Sequence, residues 1–339
     1  QIMKFIRQAV VLLAASAAIL GLQGAAHAEV DKVTIAVGGK SLFYYLPLTI
    51  AEQRGYFKAE GINVEIVDFA GGSKALQAVV GGSADVVSGA YEHTIKLQGK
   101  KQYFRAFVQQ ARAPQMVFAV STKTMPNYKT LADLKGKKIG VTAPGSSTNM
   151  VASFVLEGAG VSSKDVSFIG VGAGSGAVAA VKTGQIDALV NLDPVISSLA
   201  RDGAINILVD TRKMSATRDL FGGDMPAGSL YAPDTFIQAN PKTVQGLTNA
   251  MVKAARWIQQ ASADDVLKTV PASYSMGDPE LYKITFNNLK EAMSPDGMIS
   301  EEGTKTALKS LVAFDPKIKS EDIDLARTYT NDFVKRAPK

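Results

Sequence analysis

The feature that most restricts what this chain can fold into is a gapless internal repeat. Residues 71–87 (GGSKALQAVVGGSADVV) align on residues 173–189 (AGSGAVAAVKTGQIDAL) at an offset of 102. The two copies are identical at Gly72/Gly174, Ser73/Ser175, Ala75/Ala177, Ala78/Ala180, Val79/Val181, Gly82/Gly184 and Asp85/Asp187. A looser match lies upstream, where VTIAV at 33–37 resembles KIGV at 138–141, each followed by a small-residue turn. Two units of similar build, each with its own core, are the economical reading of such a period.

Local signals agree within each copy. A β-branched run ends in a turn, and the helix that follows stops at Gly55 or Gly160, because glycine accepts the left-handed C-terminal conformation. A second strand (64–69; 166–171) leads into a Gly-Ser helix start, and a third strand (85–88; 187–191) comes after a glycine stop. Strand–helix–strand alternation predicts a mostly parallel sheet with helices on both faces. The return to the first unit is expected near 222–226, with a strand at 229–232 and a long amphipathic helix at 242–261. The tail, 263–333, reads as short helices that cover the first unit rather than bind anything.

The N-terminus reads as an export signal: Lys4 and Arg7, an apolar stretch at 9–21, and the small-x-small pattern Ala26-His27-Ala28. Cleavage there predicts a mature chain from Glu29. The stretch is shorter than the ~20 residues of a spanning helix. With no cysteine in the chain, disulfides, thiolate metal sites and a lipidated cysteine are excluded. A soluble periplasmic monomer is expected. The 37 basic and 31 acidic side chains are dispersed, so nucleic acid is not an expected partner.

Three patterns suggest chemistry and do not carry it. Gly39-Lys40-Ser41 has the ending of a P-loop, but Thr34 stands where its first glycine belongs. The run from Gly172 to Ala177 satisfies G-x-G-x-x-A with Asp193 beyond it, yet Ala70 takes the first glycine's place in the other copy, which makes it an architectural turn. His93 is the one histidine of the mature chain, and a catalytic triad would rest on it alone. No metal-ligand spacing exists, so neither cofactor nor metal is expected, and no catalytic residue is assigned.

What remains is a set of helix starts at strand ends: 41–44, Gly72-Ser73, 145–148 and Gly174-Ser175. Such starts border the crevice of an open parallel sheet and offer unpaired N–H groups with partial positive charge. Each serine can equally be an ordinary helix cap. Taken together they predict an anion-accepting cleft, with Lys40 near one start.

Residues 46–57 (LPLTIAEQRGYF), 60–65 (EGINVE), 72–85, 131–141 (LADLKGKKIGV) and 184–188 (GQIDA) resemble the periplasmic solute-binding proteins of sulfonate, taurine and nitrate ABC importers, a broad family that includes pyrimidine-precursor binders. The resemblance covers about 30–235. It implies an α/β, two-lobed periplasmic-binding-protein fold of type II, each lobe a mostly parallel sheet flanked by helices, joined by two crossovers. The implied lobes are 29–112 plus 226–339, and 113–225.

By that likeness the ligand pocket would be lined by Ser41, Phe43, Tyr44 and Tyr45, by Gly72 and Ser73, and by Ala90, Tyr91, Glu92 and His93. The second lobe would add Gly145, Ser146, Ser147, Thr148, Asn191 and Asp193. Arg112 is either a counter-charge or part of a hinge salt bridge. The implied function is capture of a small organic anion, a sulfonate or carboxylate, aromatic or aliphatic, with delivery to a membrane permease; Glu92 and Asp193 also suit a zwitterion. A periplasmic hydrolase using Ser73 or Ser146 with His93, or a ligand sensor, are the alternatives. The cysteine-rich motif of the eukaryotic thiamine-precursor enzymes is absent.

Overall fold

The computed structural model describes residues 29–339 apart from residue 31. The export signal expected at 1–28 lies outside the described residues. Two five-stranded sheets form, with orders β2-β1-β3-β10-β4 and β7-β6-β8-β5-β9. The first comprises β1 (Lys32–Gly38), β2 (Asn63–Phe69), β3 (Val86–Ala90), β4 (Phe104–Gln109) and β10 (Gly228–Pro233). The second comprises β5 (Val117–Ser121), β6 (Lys138–Val141), β7 (Ser167–Gly170), β8 (Ala188–Asn191) and β9 (Ile205–Asp210). Strand by strand the repeat is preserved: β1, β2 and β3 correspond to β6, β7 and β8.

The sheets are mixed. Pairs β1–β2 and β1–β3 are parallel, whereas β10 is antiparallel to both β3 and β4, and β5 to both β8 and β9. The cause lies in the connections. β4 ends at the gap between the sheets, and the chain passes straight across, so β5 must start at the gap and run away from it. β10 arises in the same way on the return. Each sheet therefore receives its one reversed strand from the chain arriving from the other side.

The interior strand β1 is buried on both faces, with Val33, Ile35, Ala36 and Val37 inaccessible to solvent, as expected where helices cover both sides. Four helices place their starts at the gap: α1 (Leu46–Gln53), α2 (Gly72–Val80), α3 (Glu92–Gly99) and α4 (Ser147–Gly158). The equivalent of α2 in the second sheet is α5 (Ser175–Lys182), followed by α6 (Val195–Arg201) and α7 (Met214–Phe221). The long helix α8 (Pro241–Gln260) buries Val244, Leu247, Met251, Ala255 and Ile258, the face its spacing predicts.

The tail does more than cover the first sheet. In α9 (Pro279–Leu289) and just beyond it, Asp278 pairs with Arg201 at 2.6 Å and Asn288 O accepts from Lys213 Nζ at 2.8 Å, both from the second unit. Glu291 O and Ala292 O accept from Arg112 and Gln115 of the first crossover. Among the described residues no helix is long and apolar enough to cross a membrane.

Candidate ligand-binding cleft

The turns at the strand ends of the two units meet face to face, and their symmetry follows the repeat. A Cβ on Gly39 would stand 2.7 Å from the Cβ of Ala173, and one on Gly71 would stand 2.9 Å from the Cβ of Ala143. Gly39 corresponds to Ala143, and Gly71 to Ala173. The rim is therefore a reciprocal contact, each unit's first turn against the other's second, as in an isologous interface. Glycine on one side lets methyl groups on the other come this close.

A latch beside the rim ties the units together. Ser73 N donates to Ser146 Oγ at 3.0 Å, Ser146 Oγ to Ser73 Oγ at 3.0 Å, and Ser73 Oγ to Pro144 O at 2.9 Å. Neither α2 nor α4 is capped by its own N-cap side chain. Ser146, the N-cap of α4, instead satisfies a first-turn amide of α2 across the cleft.

Behind the latch lies a small cavity. Its lining is Leu42, Tyr44, Tyr45, Gly72, Ala90 and His93 with Gly38 from the first unit, and Thr142, Ser146, Ser147, Thr148 and Leu192 from the second. Met116 of the first crossover completes it. About 20 Å³ is open to the centre of a water molecule, little more than the ~10–15 Å³ that one water needs. A guest of more than a few atoms therefore requires the units to separate.

Polar groups here are buried without partners: Tyr44 Oη and His93 Nε2 in the lining, and Glu92 Oε1 close by. Buried polar atoms are nearly always hydrogen-bonded, so three orphans in one place point to a ligand. His93 Nδ1 bonds Tyr231 Oη at 2.9 Å. Burial, helped by Lys96 and opposed by the nearby Gly145 backbone, pulls its pKa down to about 3, so the ring is neutral. One nitrogen is then a donor and the other an acceptor, and Nε2 can serve a ligand in either tautomer. Burial pushes the Glu92 carboxyl up, against the hydrogen bond from the Ser147 side chain.

Charge is supplied without a cation. No lysine or arginine lines the cavity. The first-turn amides of α4, at Ser147 and Thr148, have no carbonyl within their own helix to pair with and carry the positive end of its dipole. At the other helix start considered for an anion, the protein supplies its own: Gly39 N and Lys40 N both donate to Asp68 Oδ1, and Lys40 Nζ pairs with Glu52 at 2.7 Å. That position does not welcome an external anion.

Of the residues singled out from sequence, Tyr44, Tyr45, Gly72, Ala90, His93, Ser146, Ser147 and Thr148 come together around the cavity. The others do not line it. Arg112 sends its Nε to Glu291 O at 2.7 Å and, among the described residues, neither lines the cavity nor forms a salt bridge. Asp193 caps Ser197 N and pairs with Arg212 at 3.2 Å, which neutralises it. Asn191 bonds Gly172 O, Tyr91 bonds Thr328, and Phe43 stacks on Tyr282 at 4.4 Å. Ser41 stays outside, Glu92 stands behind Ser147, and Ser73 and Gly145 face an outer groove. Sequence reasoning missed Gly38, Met116 and Thr142 as lining residues, while Leu42 and Leu192 fall inside the segments 41–45 and 191–193 expected to line it. Thr142 had a local signal, since it closes the turn by donating N–H to Thr148 Oγ1 at 3.0 Å.

Comparison with known proteins agrees with this geometry. A protein of Bordetella bronchiseptica RB50 is 59% identical, with a TM-score of 0.90 over 91% of this chain and 96% of its own. The alkanesulfonate-binding protein SsuA of Xanthomonas axonopodis pv. citri, bound to MOPS, shares the fold at 21% identity and a TM-score of 0.71, over 90% of this chain and 99% of its own. A 4-amino-5-hydroxymethyl-2-methylpyrimidine phosphate synthase of Aspergillus parasiticus is 24% identical over 310 residues, 90% of this chain and 87% of that protein. The model of the NMT1/THI5-like family matches residues 42–263. The chain belongs to the NMT1/THI5-like family and has the two-lobed α/β fold of periplasmic binding proteins.

Proposed function

We propose that this protein is the extracytoplasmic solute-binding component of an ABC importer. It captures a small organic acid between two lobes, 29–112 plus 226–339 and 113–225, and hands it to a membrane permease. The observation that carries this reading is a cavity lined by both lobes, holding the orphaned Tyr44 Oη and His93 Nε2 beside the α4 amides. Ligand contacts shared between lobes stabilise the closed form, and closure is the signal a partner can read. The acidic group sits on the α4 amides and hydroxyls.

The relation to a synthase raises an enzyme as the second reading. The side chains argue against a hydrolase: Ser73 and Ser146 bond each other, and the His93 ring bonds Tyr231 rather than a serine. A nucleophile–base pair is the minimum for such chemistry.

A thermal-shift panel of sulfonates, carboxylates, nitrate and pyrimidines tests the proposal. One class should raise Tm by several degrees and be recovered unchanged. Because no cation holds the ligand, its Kd should change less than about twofold between 50 and 500 mM salt. Silence across the panel, or conversion of the ligand, refutes the reading.

A further inference from the structure

Outside the latch lies a second, much larger hollow that the binding reading does not use. It is built from two helix faces, each with the spacing of a single helical stripe. From α2 come Ser73, Leu76, Gln77 and Val80, and from α3 and its C-cap come His93, Lys96, Leu97 and Lys100. Gln102 closes one end, and Pro144 and Gly145 of the other lobe form a wall. About 390 Å³ is open to a water's centre, against about 20 Å³ in the inner cavity. That is the size of a site for an organic molecule.

Its chemistry is mixed in a definite way. Leu76, Val80 and Leu97 give an apolar floor, and the Val80 side chain is half exposed with nothing packed over it. Lys96 and Lys100 lie one helical turn apart on the rim, and neither is within ion-pair distance of a carboxylate among the described residues. The neutral, buried His93 is shared with the inner cavity, and its Nε2 has no partner. Cations without a carboxylate in ion-pair contact, Lys96 having only the longer-range field of the buried Glu92, lie beside uncovered apolar surface and match one kind of small molecule: an apolar body carrying an acid.

We propose that this groove is a second binding site, for an amphiphilic organic anion, at the mouth of the interlobe cleft. Its body lies on Leu76, Val80 and Leu97, and its acid meets Lys96 and Lys100. The Pro144 wall is held by Ser73 Oγ, so the site is complete only while the latch is made. An occupant therefore favours closure, and closure favours the occupant. Unlike the inner cavity, the groove depends on cations, so its affinity falls with salt.

The test is a titration of the methyl-labelled protein with 2-naphthalenesulfonate, followed by NMR. Saturable shifts are expected at the Leu76, Val80 and Leu97 methyls, larger than those that closure alone produces at Met116 and Leu192 of the inner cavity. The double variant Lys96→Gln, Lys100→Gln should bind about fivefold or more weakly and lose most of the salt dependence. Naphthalene-2-methanol, which has the body without the charge, and sulfate, which has the charge without the body, should each bind more weakly. The proposal is overturned by shifts confined to Met116 and Leu192, by shifts scattered over the surface, by undiminished binding in the double variant, or by equal binding of the neutral compound. It does not rest on the importer reading, because the methyls that shift tell the two sites apart: Leu76, Val80 and Leu97 report the groove, and Met116 and Leu192 the inner cavity.

Discussion

A neutral histidine sealed inside a protein carries a pH-dependent cost. His93 titrates near 6.5 when unfolded but only at about 3 when folded. Above pH 6.5 both states leave it neutral. Below that the unfolded chain takes up a proton that the folded chain refuses, so stability falls as pH falls from about 6.5 towards 3. Glu92 works in the opposite sense. Its raised pKa favours the folded state below the ordinary carboxylate range, and that advantage is lost as pH rises through its folded value. We expect His93→Gln to flatten the acid limb: between pH 7 and 5 the wild type should lose about 2 kcal/mol more than the variant, measured by urea unfolding. Parallel losses in the two proteins would show that His93 is not the titrating group. The partner that fixes its ring, Tyr231, lies 138 positions away. No local pattern announces it, although His93 itself was conspicuous. The same holds for Arg112, whose charge suggested a counter-ion until the fold placed a backbone carbonyl at its Nε.

Among the elements, α2 shows how a helix start becomes part of a contact between the two units. Its N-cap, Gly71, has an extended backbone with φ of −166°, which any residue adopts. Glycine is needed there for space alone: an added Cβ would stand 2.9 Å from the Cβ and backbone N of Ala143 and from Ser146 Oγ, all across the cleft. Gly71→Ala should therefore leave each lobe folded and wedge the rim. The overpacking cost of about 1–3 kcal/mol falls on closure, so ligand affinity should drop about 5- to 150-fold and small-angle scattering should show a larger radius of gyration at saturating ligand. Wild-type affinity and radius would sink this account. Strands and helices such as β1 and α8 were legible because their signal, apolar period and glycine stops, is local. The reversed direction of β5 and β10 was not legible, because it depends on which side of the gap the chain enters from.

On the scale of the whole molecule, two lobes built alike are joined by crossovers that hold each other. Gln115 N donates to Thr211 O at 3.2 Å, and Thr211 N to Met116 O at 2.9 Å. The cleft side is closed instead by the Ser146 cap on α2, which crosses from lobe to lobe and exists only when they meet. Ser146→Ala should therefore weaken closure by about 1 kcal/mol, the usual worth of a cap. The ligand Kd should rise about fivefold with little change in the urea midpoint of the unliganded protein. An unchanged Kd would mean that the latch does not contribute to closure. The repeat at offset 102 and the glycine-bounded helices determined on their own that there are two α/β units with small-residue turns at their strand ends, since each unit's periodicity lies within a hundred residues of chain. Only the tertiary structure decided what the turns face. Met116 and Leu192 reach the cavity, Asp68 fills the turn after β1 that looked vacant, and Lys96 and Lys100 border the outer groove. Each of these placements depends on where one lobe lies against the other, a relation between residues far apart in the chain that no local pattern encodes.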